Sequence, residues 1–197
     1  MLLTLIRHGQ TDWNLARRIQ GETDIPLNDT GREQARQAAR VLAETMPDAG
    51  GAVVVASDLS RAAETAHILA AELGAPAPAA FYPELRERRY GEAEGGYIDE
   101  VTARYGDDGR DSVPGVETRA RLRVRAVAAL ELVAASHAAA AGPVIAVSHG
   151  GVISELVRHA SDDAFPRPGE RIANGSAYVF EIEDGGIRLQ EYAGVLV

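Results

Sequence analysis

The sequence predicts an α/β protein organised around a mainly parallel sheet. Short, wholly apolar runs recur at Leu2–Ile6, Ala52–Ala56 and Val144–Val147, with the length and composition of strands buried on both faces. Stretches with apolar residues at helical spacing separate them, and such alternation is the pattern of a parallel sheet. Each run also stops on polar, chemically capable residues: Arg7-His8-Gly9, Ser57-Asp58 and Ser148-His149-Gly150-Gly151.

After the first run, Asp12–Ile19 reads as a short helix or structured loop, and Glu22–Asn28, which holds Pro26, as loop. Thr30-Gly31-Arg32-Glu33 has capping-box spacing. It opens a predicted helix over Gly31–Glu44, with Ala35, Ala38, Ala39 and Leu42 on one face, and Pro47 to Gly51 ends it. Beyond the Ala52–Ala56 strand, Leu59, Ala62, Ala66, Leu69 and Leu73 share a face of a helix over Ser60–Leu73, with Gly74 as its stop. Ala79–Tyr82 reads as a short strand, followed by the charge cluster ELRERRYGEAEGG. Tyr97–Tyr105 reads as a short helix and Gly106–Gly115, rich in Asp, Gly and Pro, as an exposed loop. A long helix is predicted over Glu117–Ala140, with Leu122, Ala126, Ala129, Leu130 and Val133 inward and Gly142-Pro143 as terminator. A helix over Val152–His159 follows the Val144–Val147 strand, then a loop over Ser161–Gly175. Alternation in Ala177–Glu183, a turn at Asp184-Gly185-Gly186 and the run Ile187–Tyr192 predict a closing hairpin.

The 197 residues suffice for one sizeable core and are expected to form a single domain. No apolar run approaches the ~20 residues of a membrane span, and the apolar start lacks the basic leader of a signal peptide. There is no cysteine, which removes disulfides, thiolate catalysis and zinc–sulfur sites and fits a cytoplasmic protein. The net charge of −9 argues against a nucleic-acid surface. Every Lys/Arg position is arginine, so mechanisms that need a lysine are excluded.

In an open α/β sheet, residues just past the carboxyl ends of strands face a common crevice. Arg7 and His8 follow the first strand, Arg61 the second, Glu87 the Ala79–Tyr82 strand and His149 the Val144–Val147 strand. Arg61 falls in the first turn of its helix, where the dipole disfavours a cation, so a purely structural reading of it is weak. A metal held by His8, His149 and a carboxylate would be repelled by the arginines. A phosphoryl group resolves the set better. Guanidinium forks match its oxygens, an imidazole can attack phosphorus, and a carboxylic acid can protonate the leaving oxygen.

LIRHGQTDWN, SDLSRAAETA, ELRERRYG and VSHGG, in this order, resemble the successive motifs of the histidine phosphatase superfamily, the phosphoglycerate-mutase-like proteins. The resemblance runs from Leu2 to the closing hairpin. It implies a three-layer sandwich, a mainly parallel central sheet flanked by helices, with a short lid at about 97–116. It implies that His8 is a nucleophile that becomes phosphohistidine and that Arg7, Arg61 and His149 complete the phosphate pocket. Asn14 and the Gly150 backbone would be further donors, with Gln20 and Gly21 lining the pocket. Glu87 would be the proton donor, ranked above Glu92 and Glu94. No metal or organic cofactor is implied. The partner is a small-molecule phosphate ester, with neither nucleic acid nor membrane, and the closing hairpin offers an edge strand for a homodimer. His8 should hold its attacking nitrogen bare by donating from the other to a backbone carbonyl.

The same resemblance covers cofactor-dependent phosphoglycerate mutases, and Glu87–Tyr90 is close to their pattern. The missing lysine, the short Asp/Gly-rich lid and Gly151 in place of an asparagine favour a phosphatase. A non-catalytic binding protein is the remaining alternative, although nucleophile and acid are both present. His67, His137 and His159 read as structural, and Arg86, Arg88 and Arg89 as a solvated cluster from which one side chain is able to read a second anionic group. Asp107, Asp108 and Asp111 read as loop solvation. Tyr90 is a candidate for the pocket wall, and Trp13 for packing under the motif loop.

Overall fold

A computed structural model describes residues 1–106, 111–183, 186–193 and 195–196. In chain order the elements are β1 (Leu2–Arg7), α1 (Asp12–Leu15), α2 (Asp29–Thr45), β2 (Val53–Ala56), α3 (Ser60–Leu73), β3 (Ala80–Phe81), α4 (Ile98–Tyr105), α5 (Arg119–Ser136), β4 (Val144–Ser148), α6 (Gly150–Ala160), β5 (Ala177–Glu183), β6 (Gly186–Tyr192) and β7 (Val195–Leu196). Among the described residues the strands form one sheet in the order β3-β2-β4-β1-β5-β6-β7. The β3-β2-β4-β1 half is parallel, and β5, β6 and β7 continue it antiparallel.

The strand burial explains the layers. Every residue of β4 is buried, as a central strand covered on both faces requires. Leu3, Leu5, Val55, Val144 and Ala146 point to a core shared with α5 and α6. Ile6, Val54, Ala56, Ile145 and Val147 point to the opposite core under α2 and α3. Alternate side chains thus feed separate helix layers, the expected three-layer arrangement. In β5, Tyr178 and Phe180 are buried whereas Val179 and Glu181 are only half-buried, so this strand is covered mainly on one face.

α2 begins earlier than the sequence predicts. Asn28 is its cap, accepting from the Gly31 N–H at 2.9 Å, and Glu33 bonds Arg36 and Arg40 instead of closing a box with Thr30. Backbone contact favours this start. A Cβ on Gly9 would lie 2.2 Å from the Gly31 carbonyl oxygen, and one on Gly31 would lie 2.1 Å from that of Gln10. Two residues without side chains therefore let the loop after β1 pack directly onto the first turn of α2.

The segment expected as an exposed loop is partly folded inward. Val113 is buried with Ile19, Ala93 and Val101 in a small core beneath α4, and Asp111 bonds the buried Arg88. Asp107, Asp108 and the Asp184-Gly185 part of the hairpin turn lie outside the described residues. The hairpin does not itself present an open edge, because β7 pairs with β6. No helix among the described residues is long and apolar enough to cross a membrane.

Candidate active site

Strand register brings the histidines together. β1 and β4 run parallel with Arg7 opposite Ser148, so the next residues, His8 and His149, leave the sheet side by side. The His8 N–H donates to the Ser148 carbonyl at 3.0 Å, and the imidazole centroids are 5.1 Å apart. His8 is 2% exposed and His149 0%. The Nδ1 of His8 lies 2.6 Å from the Gly9 carbonyl oxygen. A carbonyl only accepts, so Nδ1 carries a proton; burial and the charges of Arg7 and Arg61 disfavour a second one, which leaves Nε2 bare, as the sequence reading requires.

Arg61, 0% exposed, enters from the first turn of α3. Its Nη1 donates to the Thr23 carbonyl at 2.9 Å and its Nη2 to that of Gly21 at 2.8 Å. Thr65, one turn along α3, ties this helix to the motif: it accepts from the Gly9 N–H at 3.1 Å and donates to the Arg61 carbonyl at 2.7 Å. Arg7 Nη1 donates to the Ile172 carbonyl. The Nε atoms of Arg7 and Arg61 and both ring nitrogens of His149 are buried without a partner among the described residues.

Glu87 faces this group. Its carboxylate accepts from the Arg88 N–H at 2.7 Å and from the Gly151 N–H, in the first turn of α6, at 3.0 Å. A Cβ at residue 151 would lie 2.4 Å from a Glu87 carboxylate oxygen, so a side chain there would displace the carboxylate from its present place. Gly150 is less confined, its ideal Cβ position 3.2 Å from Arg7 Nε. As the first residue of α6, Gly150 also contributes one of the N–H groups that a helix start leaves for an anion.

Burial lowers the pKa of Arg7 and of Arg61, and the Glu87 carboxylate pulls both back up. Both remain cations in any protein environment. Burial, then the charges of Arg7 and Arg61, hold His8 well below its usual 6.5. Burial, Arg61, His8, Arg7 and Arg125 do the same to His149. The site therefore pairs neutral imidazoles with fixed positive charge. Among the described residues no cluster of His, Asp or Glu is placed to hold a metal ion.

A model of the histidine phosphatase superfamily, branch 1, matches residues 3–194. The chain belongs to the histidine phosphatase superfamily. Within it, the chain is 35% identical over 188 residues to PhoE of Bacillus subtilis, named as an uncharacterised phosphatase, across 95% of this chain and 92% of that one. It is 37% identical over 166 residues to a glucosyl-3-phosphoglycerate phosphatase of Mycolicibacterium vanbaalenii, covering 78% of this chain and 71% of the relative. The solved structure of Bacillus stearothermophilus YhfR superposes with a TM-score of 0.80 at 26% identity, over 100% of this chain and 98% of that one.

The remaining residues that the superfamily resemblance singled out take varied positions. Asn14 accepts from the Thr11 N–H at 3.1 Å and from Asn174 Nδ2 at 3.3 Å, and Asn174 also donates to the His8 carbonyl at 2.9 Å. Gln20 is buried and accepts from the Thr11 hydroxyl at 2.9 Å. Gly21 acts through its carbonyl on Arg61. Tyr90 lies close enough to Arg7 to influence its ionisation, and its N–H donates to Glu94 at 3.0 Å. Glu94, ranked below Glu87, also accepts from the Glu22 N–H and from the Thr23 N–H and hydroxyl, stitching the 20–23 loop to the segment before α4. Glu92 is exposed.

The solvated-cluster reading of the arginines fails for Arg88. Arg88 is 5% exposed, bonded to Asp111 and to the Glu117 carbonyl, and Arg86 forms a fork on Asp58 at 2.7 and 2.6 Å. Arg89 alone is exposed. Trp13 is half-buried against the Arg18 guanidinium, 4.6 Å from its ring centroid. His67 and His159 are exposed, and His137 meets the Tyr82 hydroxyl at 3.1 Å. Sequence reasoning missed Thr65 and Asn174. An Asn-Gly pair before a strand signals a turn and says nothing of the side chain's target.

The neutral imidazoles have a consequence for stability. An unfolded chain takes up protons on His8 and His149 once pH drops below about 6.5, whereas the folded chain resists them. Their contribution is therefore full above that value and is lost as pH falls toward the depressed folded values. The urea midpoint is expected to decline from pH 7 to about 5, before most carboxylates titrate. A His8→Ala/His149→Ala variant should lose most of that slope, and an unchanged slope would contradict buried neutral rings.

Proposed function

We propose that this chain is a phosphomonoesterase that hydrolyses small phosphorylated metabolites through a phosphohistidine at His8. One observation carries the reading: a buried imidazole with a bare Nε2 sits among buried arginine and histidine nitrogens that have no partner among the described residues. Such donors suit an oxyanion bearing several acceptor oxygens.

In the first step His8 Nε2 forms a bond to phosphorus while the ester P–O bond breaks. The electron pair leaves with the ester oxygen, which takes a proton from the Glu87 carboxyl. In the second step the Glu87 carboxylate removes a proton from water as its oxygen attacks phosphorus. The N–P bond breaks, and its electrons return to Nε2. Arg7, Arg61 and His149 hold the equatorial oxygens in both steps. No step uses a metal. A site of this kind suits a demanding reaction, since phosphate-monoester hydrolysis needs accelerations up to ~10²¹-fold.

The test is phosphate release from a panel of phosphate esters, phosphoglycerates included, in the presence of EDTA. An alkaline quench during turnover should place an acid-labile phosphoryl group on the peptide that holds His8. Interconversion of phosphoglycerates faster than phosphate release would favour the mutase reading. Loss of activity in EDTA would exclude a metal-free mechanism.

A further inference from the structure

The segment that carries Glu87 has no regular structure of its own beyond the short turn Pro83–Leu85. Its carbonyls are nevertheless satisfied, largely by one guanidinium. Arg125, on α5, donates from Nη1 to the Glu84 carbonyl at 2.7 Å and to the Arg86 carbonyl at 2.8 Å, and from Nη2 toward that of Glu87 at 3.4 Å. The other edge of the fork is fixed by Glu117: Nε to Oε1 is 2.8 Å and Nη2 to Oε2 is 2.7 Å. Both side chains are largely sheltered, at 25% and 13% exposure, so the pair is poorly screened.

The neighbouring carbonyls are held as well. Leu85 accepts from the Ser148 hydroxyl at 2.8 Å, and Arg89 from the Glu117 N–H at 2.8 Å. The loop that presents the carboxylate is thus clamped between the end of β4 and the start of α5. Among the described residues Arg125 makes no hydrogen bond to the groups that would hold phosphate, although its charge acts on His149; its donors are spent on backbone and on Glu117.

We propose that Arg125, locked by Glu117, is a positioning residue that sets the Glu87 carboxyl for proton transfer to the leaving oxygen. This rests on the reading of Glu87 as proton donor. A misplaced acid penalises leaving groups that need a proton and spares those that do not, whereas general damage to the site slows both.

The test compares kcat/KM, which reports the steps up to leaving-group departure, for glycerol phosphate and for dinitrophenyl phosphate. Wild type, Glu87→Gln, Arg125→Lys, Arg125→Met and Glu117→Gln are measured, with thermal melting to verify folding. General acid catalysis contributes about 10²- to 10⁴-fold. Arg125→Met is expected to lose about 10²-fold on glycerol phosphate and less than about threefold on the dinitrophenyl ester. Glu117→Gln should show the same split at about tenfold, and Arg125→Lys should recover little, because one ammonium cannot span the carbonyls and the carboxylate. If Arg125→Met does not fold, the Lys and Gln variants decide. Equal losses on both substrates in folded Arg125 or Glu117 variants overturn the proposal. If Glu87→Gln itself shows no split, the proton-donor reading fails and this inference falls with it.

Discussion

His8→Ala is expected to lower kcat for phosphate release by about 10⁴-fold or more, the scale on which removal of a nucleophile acts. Alanine removes the Nε2 that would bond phosphorus, together with the Nδ1 bond to the Gly9 carbonyl and the ring beside His149. Arg61 and His149 reach the pocket from other segments, Arg7 is held from the neighbouring position by the Ile172 carbonyl, and the anchors of Arg61 on Gly21 and Thr23 are untouched. Oxyanion binding should therefore survive. Phosphate or vanadate should still raise the melting temperature of the variant, in line with the free energy of a ligand that binds only the folded state. The combination of lost turnover with retained protection separates a missing nucleophile from a collapsed site. Turnover within tenfold of wild type would place the nucleophile elsewhere.

What could be read in the sequence follows from which contacts are local. Val144–Val147 and Ala52–Ala56 are apolar on both faces because both faces are covered, and α3 matches its expected span because Leu59 to Leu73 keep one helical phase. The histidines and Arg7 were legible for a related reason: a strand end and the residue after it are neighbours in sequence as well as in space. Arg61 announced itself through a position its helix dipole does not favour. Residues that act on distant backbone gave no such signal. Arg125 falls on α5, and its targets are carbonyls 38 to 41 residues away. Arg88 resembled a solvated cation because its partners, Asp111 and the Glu117 carbonyl, arrive from 23 and 29 residues further along the chain. Asn174 lies 166 residues from the His8 carbonyl that it supports. The true cap of α2 was missed because the Thr30–Glu33 spacing fits a capping box, whereas the close approach of Gly31 to the β1 loop is a tertiary fact.

Arg61→Met should cost about 10²- to 10³-fold in kcat/KM, the range for removing one preorganised donor to a developing oxyanion. Burying a guanidinium costs several kcal/mol unless its donors are met. Here Gly21 and Thr23 meet part of that demand, Nε has no partner among the described residues, and Arg7 adds like-charge repulsion. A phosphoryl group supplies what remains: negative charge and an acceptor for Nε. Binding an oxyanion should thus stabilise wild type strongly and the methionine variant weakly, a difference readable as the melting-temperature shift at saturating phosphate. Arg61→Lys provides the stricter comparison. It keeps the charge but gathers its donors on a single nitrogen, which cannot hold two loop carbonyls and an oxyanion in one plane. Its kcat/KM should fall within about tenfold of the methionine variant. Near-wild-type activity in Arg61→Lys would mean that charge alone suffices at this position. The forked geometry that joins the 21–23 loop to the phosphate pocket would then carry no catalytic weight.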